Sequence, residues 1–222
     1  MRVSWELKQI FFDLDGPIID VAPKFYRLYT DLFKARGHAV LSKDEYWSLK
    51  RNKIPEAQIA LRTAPADFVQ NYVPERIRVI ENIDYLQHDT LIDGALPLLT
   101  NLSSRFKLIL VTLRNRRENL MWELRHFDLE KYFTVILTKE DNHGDHNTKI
   151  ELISQFRKAG EGKSMIVGDT ESDVKAGQAL GLKTVAVTCG IRTKEYLLTL
   201  SPDYIIDSMT QLSDIVDREL AE

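Results

Sequence analysis

The sequence predicts an α/β fold, a doubly wound parallel sheet interrupted after its first strand by an all-helical insert. Three observations predict it. Runs that are apolar on both faces recur at 9–13, 107–112, 134–138, 164–168 and 183–188, as strands buried in a parallel sheet require. Helical patterns lie between the later runs, giving strand–helix alternation. The stretch from 14 to 106, by contrast, has no convincing strand, and helical patterns within it mark an insert of roughly 70 residues.

Taken in order, the first strand is QIFFD at 9–13. Phe25, Leu28, Tyr29, Leu32 and Phe33 then follow helical spacing, and Gly37 ends that helix. Ser42 and Glu45 form a capping-box pattern ahead of a helix with Tyr46, Trp47 and Leu49. Residues 68–86 read as more helix, interrupted or restarted at Pro74. The strands KLILVT (107–112), TVILT (134–138), SMIVG (164–168) and KTVAVT (183–188) follow, with a short sixth at 204–206. Helices are expected at 115–126, 149–158 and 172–180, the last stopped by Gly181. The core is thus assigned to 1–18 and 93–222, and the helical module to 19–92.

Composition narrows the function. The chain has 222 residues, 44% apolar and 28% charged, which fits a soluble globular protein and not a disordered one. Lys plus Arg is 30 against 33 for Asp plus Glu, a net charge of −3 that argues against a general nucleic-acid binder. Cys189 is the single cysteine, so no intramolecular disulfide forms, which suits a reducing compartment. The apolar run at 106–113 is too short to span a bilayer, and residues 1–9 lack a signal-peptide apolar block. A cytoplasmic location with no membrane or nucleic-acid partner is the expectation.

The chemistry gathers at strand ends, where open α/β sheets bind ligands. Asp13–Leu14–Asp15–Gly16 closes the first strand; Asp and Gly are also ordinary turn residues. A second acidic group, GDTESD at 168–173, closes the fourth, where Asp173 also suits a helix N-terminus. Acids converging from two strands offer the hard oxygen ligands that Mg2+ prefers. Thr112 ends the second strand, before Leu113, Arg114 and Asn115; it suits either phosphate binding or an N-cap. Lys149 opens a helix, and by itself reads as a solvated surface lysine.

Together, in this order, DLDG at 13–16, a helical insert, Thr112, Lys149 and GDTESD resemble the haloacid dehalogenase-like hydrolase superfamily. The similarity is to its helical-cap phosphatases, phosphoglycolate phosphatase-like proteins among them. It covers nearly the whole chain, including the tail at 187–190 and 202–206. It implies a Rossmann-like core with a cap. It implies Asp13 as the nucleophile of an aspartyl-phosphate intermediate, and Asp15 as general acid and then base. Thr112 and Lys149 would hold the phosphoryl oxygens. Mg2+ would be held by Asp13, the backbone carbonyl of Asp15, Asp169 and, directly or through water, Asp173. Asp15 points to phosphate and not haloacid chemistry, because a halide leaves without a proton. Three positions depart from the family pattern: Pro17 where Thr is common, Leu113–Arg114 where Asn is common, and Ile150 where Pro is common. Lys139 is a second candidate for the lysine role.

The substrate expectation is a small phosphate ester: phosphoglycolate, a sugar phosphate or a nucleotide. A phosphotransferase or phosphomutase on the same scaffold, and a non-catalytic binding protein, are the alternatives. Arg51 and Lys53, in the cap loop Lys50–Arg51–Asn52–Lys53, are candidate substrate contacts, against the plain reading of a solvated basic loop. Arg114 is a third, reaching the mouth of the site, while Arg116 and Arg117 suit an exposed helix face. His143 and His146, near Asp141 and Asp145, suit an exposed loop better than a metal site. Cys189 and the three tryptophans read as packing, with Trp47 alone suited to facing the site. Monomer and homodimer both remain open.

Overall fold

Six strands form one parallel sheet: β1 (Gln9–Phe12), β4 (Lys107–Val111), β5 (Val135–Leu137), β6 (Ser164–Gly168), β7 (Lys183–Val187) and β8 (Tyr204–Ile206). Their spatial order is β5-β4-β1-β6-β7-β8. This is a computed structural model, and it describes residues 8–141, 148–157 and 163–220. The sheet grows outward from β1 first through β4 and then, on the other side, through β6. The switch point of the winding therefore lies at β1, and the carboxyl ends of β1, β4 and β6 open side by side there.

Alternate residues of these strands serve two apolar layers. Ile10, Phe12, Leu108, Leu110, Met165 and Val167 pack on one face, with α6 (Ala95–Ser103), α7 (Arg117–His126) and α11 (Leu212–Leu220). Phe11, Ile109, Val111 and Ile166 pack on the other, with α8 (Lys149–Phe156) and α9 (Glu171–Leu180). Covering both faces is what made the runs continuously apolar. A short α10 (Lys194–Leu198) precedes β8.

After β1 the chain forms a two-residue strand, β2 (Ile19–Asp20), which pairs antiparallel with β3 (Thr90–Leu91). Between these tethers lie α1 (Ala22–Lys34), α2 (Lys43–Arg51), α3 (Glu56–Ala60), α4 (Ala66–Val79) and α5 (Ile83–Leu86). They close on their own apolar cluster, which includes Leu28, Tyr29, Phe33, Tyr46, Ile59, Phe68 and Tyr72. The Tyr29 and Tyr46 rings stack at 4.6 Å.

Several details differ from the sequence expectation. Pro74 sits inside α4 and does not break it. One backbone hydrogen bond is lost there, but Phe68, Val69 and Tyr72 before it and Val79 after it anchor the helix to the cap cluster. The break falls at residues 80–82 instead. The ribbon strands went unread because two residues carry no periodicity, and α6 was likewise not foreseen. Trp5, His143, Asp145 and His146 lie outside the described residues. Among the described residues no helix is long and apolar enough to cross a membrane.

Candidate active site

The switch point brings acids from two neighbouring strands together. Asp13 follows β1, with its amide bonded to the Val167 carbonyl of β6 at 2.9 Å. Asp169 follows β6, and Asp173 lies one turn into α9. Carboxylate oxygens of Asp13, Asp169 and Asp173 lie within 4.8 Å of one another, and all three residues are buried. Lys149, the first residue of α8, reaches in between them. Its Nζ stands 2.8 Å from Asp13 Oδ2 and 2.5 Å from Asp173 Oδ1. The Thr148 hydroxyl caps α8 in a capping box with Glu151, which fixes where that lysine begins.

Asp173 does two things at once. Its Oδ2 accepts from the Thr170 amide at 3.1 Å and hydroxyl at 2.8 Å, tying the start of α9, while Oδ1 meets Lys149. Asp169 accepts from the Ile191 amide through Oδ2. Its Oδ1 is buried without a hydrogen-bond partner. Glycines let the backbone approach this closely: a Cβ on Gly190 would stand 2.0 Å from Asp169 Oδ2, and one on Gly168 2.0 Å from Asp173 Cγ.

Burial and then the neighbouring acids strain this cluster electrostatically. Burial, only partly offset by Lys149, pushes the Asp13 carboxyl up to about 7. Asp169 is raised well above its ordinary value by burial and by Asp13 and Asp173. Burial works against the Lys149 ammonium, but Asp13 and Asp173 outweigh it and hold its pKa above the lysine norm.

Across the cavity Asp15 sits in a second charged group. Arg114 grips it side-on, with Nε 2.8 Å from Oδ2 and Nη2 2.6 Å from Oδ1. Burial opposes ionisation of Asp15, but the Arg114 guanidinium prevails and holds it down at about 2. Arg114 also meets Glu123 of α7 at 3.2 Å. Asp89, just before β3, bonds Lys24 of α1 at 2.5 Å. Burial pushes Asp89 up to about 9 against the pull of Lys24, and Glu123 beside it adds to the rise.

One cavity of about 230 Å³ joins both groups. Asp13, Asp15, Thr112, Arg114, Lys149 and Asp169 line it, and Phe25, Ile80, Leu113 and Ile191 supply its apolar wall. Lys24 and Glu81 come to it from the cap. Neither was foreseen, nor were Asp89 and Glu123. Lys149, not Lys139, is the lysine that reaches Asp13.

Two candidate substrate contacts lie elsewhere. Arg51 points away from the cavity lining and donates through Nη2 to the carbonyls of Thr188 (2.6 Å) and Arg192 (3.1 Å). Lys53 bonds the Tyr196 hydroxyl at 2.7 Å and pairs with Glu171 at 3.1 Å. Both fasten the cap loop to the core, because carbonyls after β7 and an acid at the start of α9 face that loop. Arg114 does line the cavity, but with its guanidinium committed to Asp15 and Glu123. Cys189 lies just beyond β7, its Sγ 3.5 Å from the Gly16 carbonyl. Trp47 packs edge-on against Phe25, with ring centres 6.2 Å apart.

Known proteins point the same way. A sequence profile of haloacid dehalogenase-like hydrolases matches residues 10–187. The pyrophosphatase PpaX of Bacillus pumilus is 31% identical over 219 residues, spanning 96% of this chain and 98% of that one. A haloacid dehalogenase-like hydrolase from Streptococcus pneumoniae superposes with a TM-score of 0.75 at 22% identity, over 94% of this chain and 98% of that one. A hydrolase of the same type from Bacillus subtilis, YfnB, described bound to magnesium, gives 0.66 at 21% identity, over 96% and 99%.

Proposed function

This chain belongs to the haloacid dehalogenase-like hydrolase family and is a phosphatase; from that premise we propose that it hydrolyses a small phosphorylated metabolite with Asp13 as nucleophile and Mg2+ bound beside it. One observation carries the reading: Asp13, Asp169, Asp173 and Lys149 meet at the switch point, and all but Asp173 line the cavity.

The donor set suits the ion. Three buried carboxylates converge, all hard oxygen ligands, and Asp169 Oδ1 has no other partner. Asp13, the Asp15 carbonyl, Asp169 and Asp173 would hold it. The bound ion would supply the positive charge that lets a carboxylate approach an anionic phosphoryl group. The magnesium bound to the Bacillus subtilis neighbour supports this choice.

In this reading Asp13 attacks phosphorus and takes the phosphoryl group. The Thr112 hydroxyl and the Lys149 ammonium hold its peripheral oxygens. Asp15 protonates the leaving oxygen and then takes a proton from the water that releases phosphate. Paired with Arg114, Asp15 stands ionised, the form that serves the water step; for the earlier donation it must first take up a proton from solvent, which loosening the Arg114 pair would favour. The small cavity and its apolar wall favour a compact leaving group, such as that of phosphoglycolate or a sugar phosphate. The pyrophosphatase name of the Bacillus relative adds pyrophosphate to the candidates.

The test is phosphate release from these compounds and from nucleoside monophosphates, with and without Mg2+, beside the Asp13→Asn variant. Release that requires Mg2+ and falls roughly a thousandfold or more in the variant is expected. Retained turnover in Asp13→Asn would remove the assigned nucleophile. Saturating Mg2+ should also raise Tm by a few degrees, through binding to the folded state. An equal rise in Asp169→Asn would take the ion away from this cluster.

A further inference from the structure

The helix that follows the Thr112 segment has no N-cap of its own. Arg116 occupies the N-cap position of α7, where Ser, Thr, Asp or Asn is favoured, and its side chain makes no capping bond. The Arg117 amide at the helix start donates to Glu140 of the core at 3.0 Å, and the amides just ahead of it are met from the cap. Glu81, in the turn between α4 and α5, is 7% exposed. Its carboxylate accepts from the Asn115 amide (3.0 and 2.9 Å), the Asn115 side chain (3.0 Å) and the Arg116 amide (2.7 Å). The Glu81 carbonyl accepts from Asn119 Nδ2 at 2.7 Å. Arg116 returns the contact, donating to Asn82 Oδ1 at 2.5 Å and to the Arg78 carbonyl at 2.7 Å.

The residues gripped in this way, Asn115 and Arg116, directly follow Thr112 and Arg114, the residue that holds Asp15. We infer that Glu81 is a positioning residue: by holding the Asn115 and Arg116 amides ahead of α7 from the cap, it makes order in the Thr112–Arg116 segment conditional on cap closure. The site is then assembled only when the cavity is covered. An open cap leaves the amides of Asn115 and Arg116 without this acceptor, and the residues ahead of α7 loosen while Glu140 still holds the Arg117 amide. This deepens the phosphatase reading and rests on it for the role of Thr112.

Hydrogen exchange separates the two ideas, because it does not depend on turnover. In Glu81→Ala, amides of 112–119 should exchange roughly tenfold faster, as loss of a cap predicts, with 188–193 unchanged. On the best substrate, kcat/KM should fall roughly tenfold or more, mostly through kcat. Glu81→Gln keeps one acceptor oxygen and should recover part of both effects; it also serves if the alanine variant does not fold. Unchanged exchange at 112–119, equal acceleration at both segments, or accelerated exchange with kcat/KM within twofold of wild type would each overturn the coupling. A wild type that releases no phosphate from any compound, while exchange responds as expected, would sink the functional reading alone.

Discussion

Two of the seams along which the cap meets the core are built differently. One joins the loop at 50–53 to residues 188–193 and α9. It consists of cations laid on carbonyls and acids: Arg51 on Thr188 and Arg192, Lys53 on Glu171, and Arg192 on Glu171 at 2.9 Å and on the Lys50 carbonyl at 3.3 Å. The other sets one buried carboxylate, Glu81, on backbone amides ahead of α7. The first seam holds surfaces together and is partly open to solvent, with the Lys53 side chain 45% exposed. The second reaches the backbone of a segment that lines the cavity. Fastening a lid and organising what lies beneath it are separate jobs, and here separate residues do them.

Arg51→Ala should break the first seam most. Two bonds from a charged donor go, at about 1–2 kcal/mol given partial burial. Exchange at 188–193 should quicken roughly five- to thirtyfold, with a smaller change at 112–119. Equal change at both would mean that the seams open as one. Acid should act next, through Glu171. Burial works against its ionisation, yet Arg192 prevails and holds its carboxyl at about 2, below the ordinary 4.5. A depressed carboxyl lends stability that is present above 4.5 and is lost as pH falls toward 2. Exchange at 188–193, corrected for its intrinsic pH dependence, should therefore rise between about pH 5 and pH 3, and Glu171→Gln should flatten that rise. Lys53→Ala should do least. An exposed pair contributes below about 1 kcal/mol, so exchange and kcat/KM should stay within roughly threefold, and less at high salt. A larger loss would show that Lys53 does more than fasten the loop.

The same contrast explains what the sequence made legible. Asp13, Asp15 and Asp169 stand at the ends of strongly apolar strands, where local pattern locates them; Thr112 and Lys149, ambiguous alone, stood out only through the family resemblance, and strand order at a switch point brings the five together. The six-stranded sheet was readable for the same reason. The seams were not. Glu81 is one acid in a polar cap turn, and its partners lie 34 and 35 residues on, placed by the ribbon register and not by local spacing. One signal was available: an arginine stands where α7 wants a cap. Arg51 and Lys53 resembled substrate contacts because they stand in a basic stretch, and the one acid just beyond it, Glu56, pairs with Lys50. Their partners are 118 to 143 residues away, and for Arg51 they are carbonyls, which no side-chain pattern reveals.

The antiparallel pairing of Ile19 with Leu91 and Asp20 with Thr90 gives the lid two short, paired tethers. A body held at two adjacent points swings about one axis and has little freedom to drift. Its return to the core is thus an intramolecular encounter, at the millimolar effective concentrations that short connections give. Weak individual contacts along each seam suffice under those conditions, and they can re-form in the same register after every product departs. Lengthening a single tether by a few residues would keep every contact residue in the chain and still scatter the positions from which they meet.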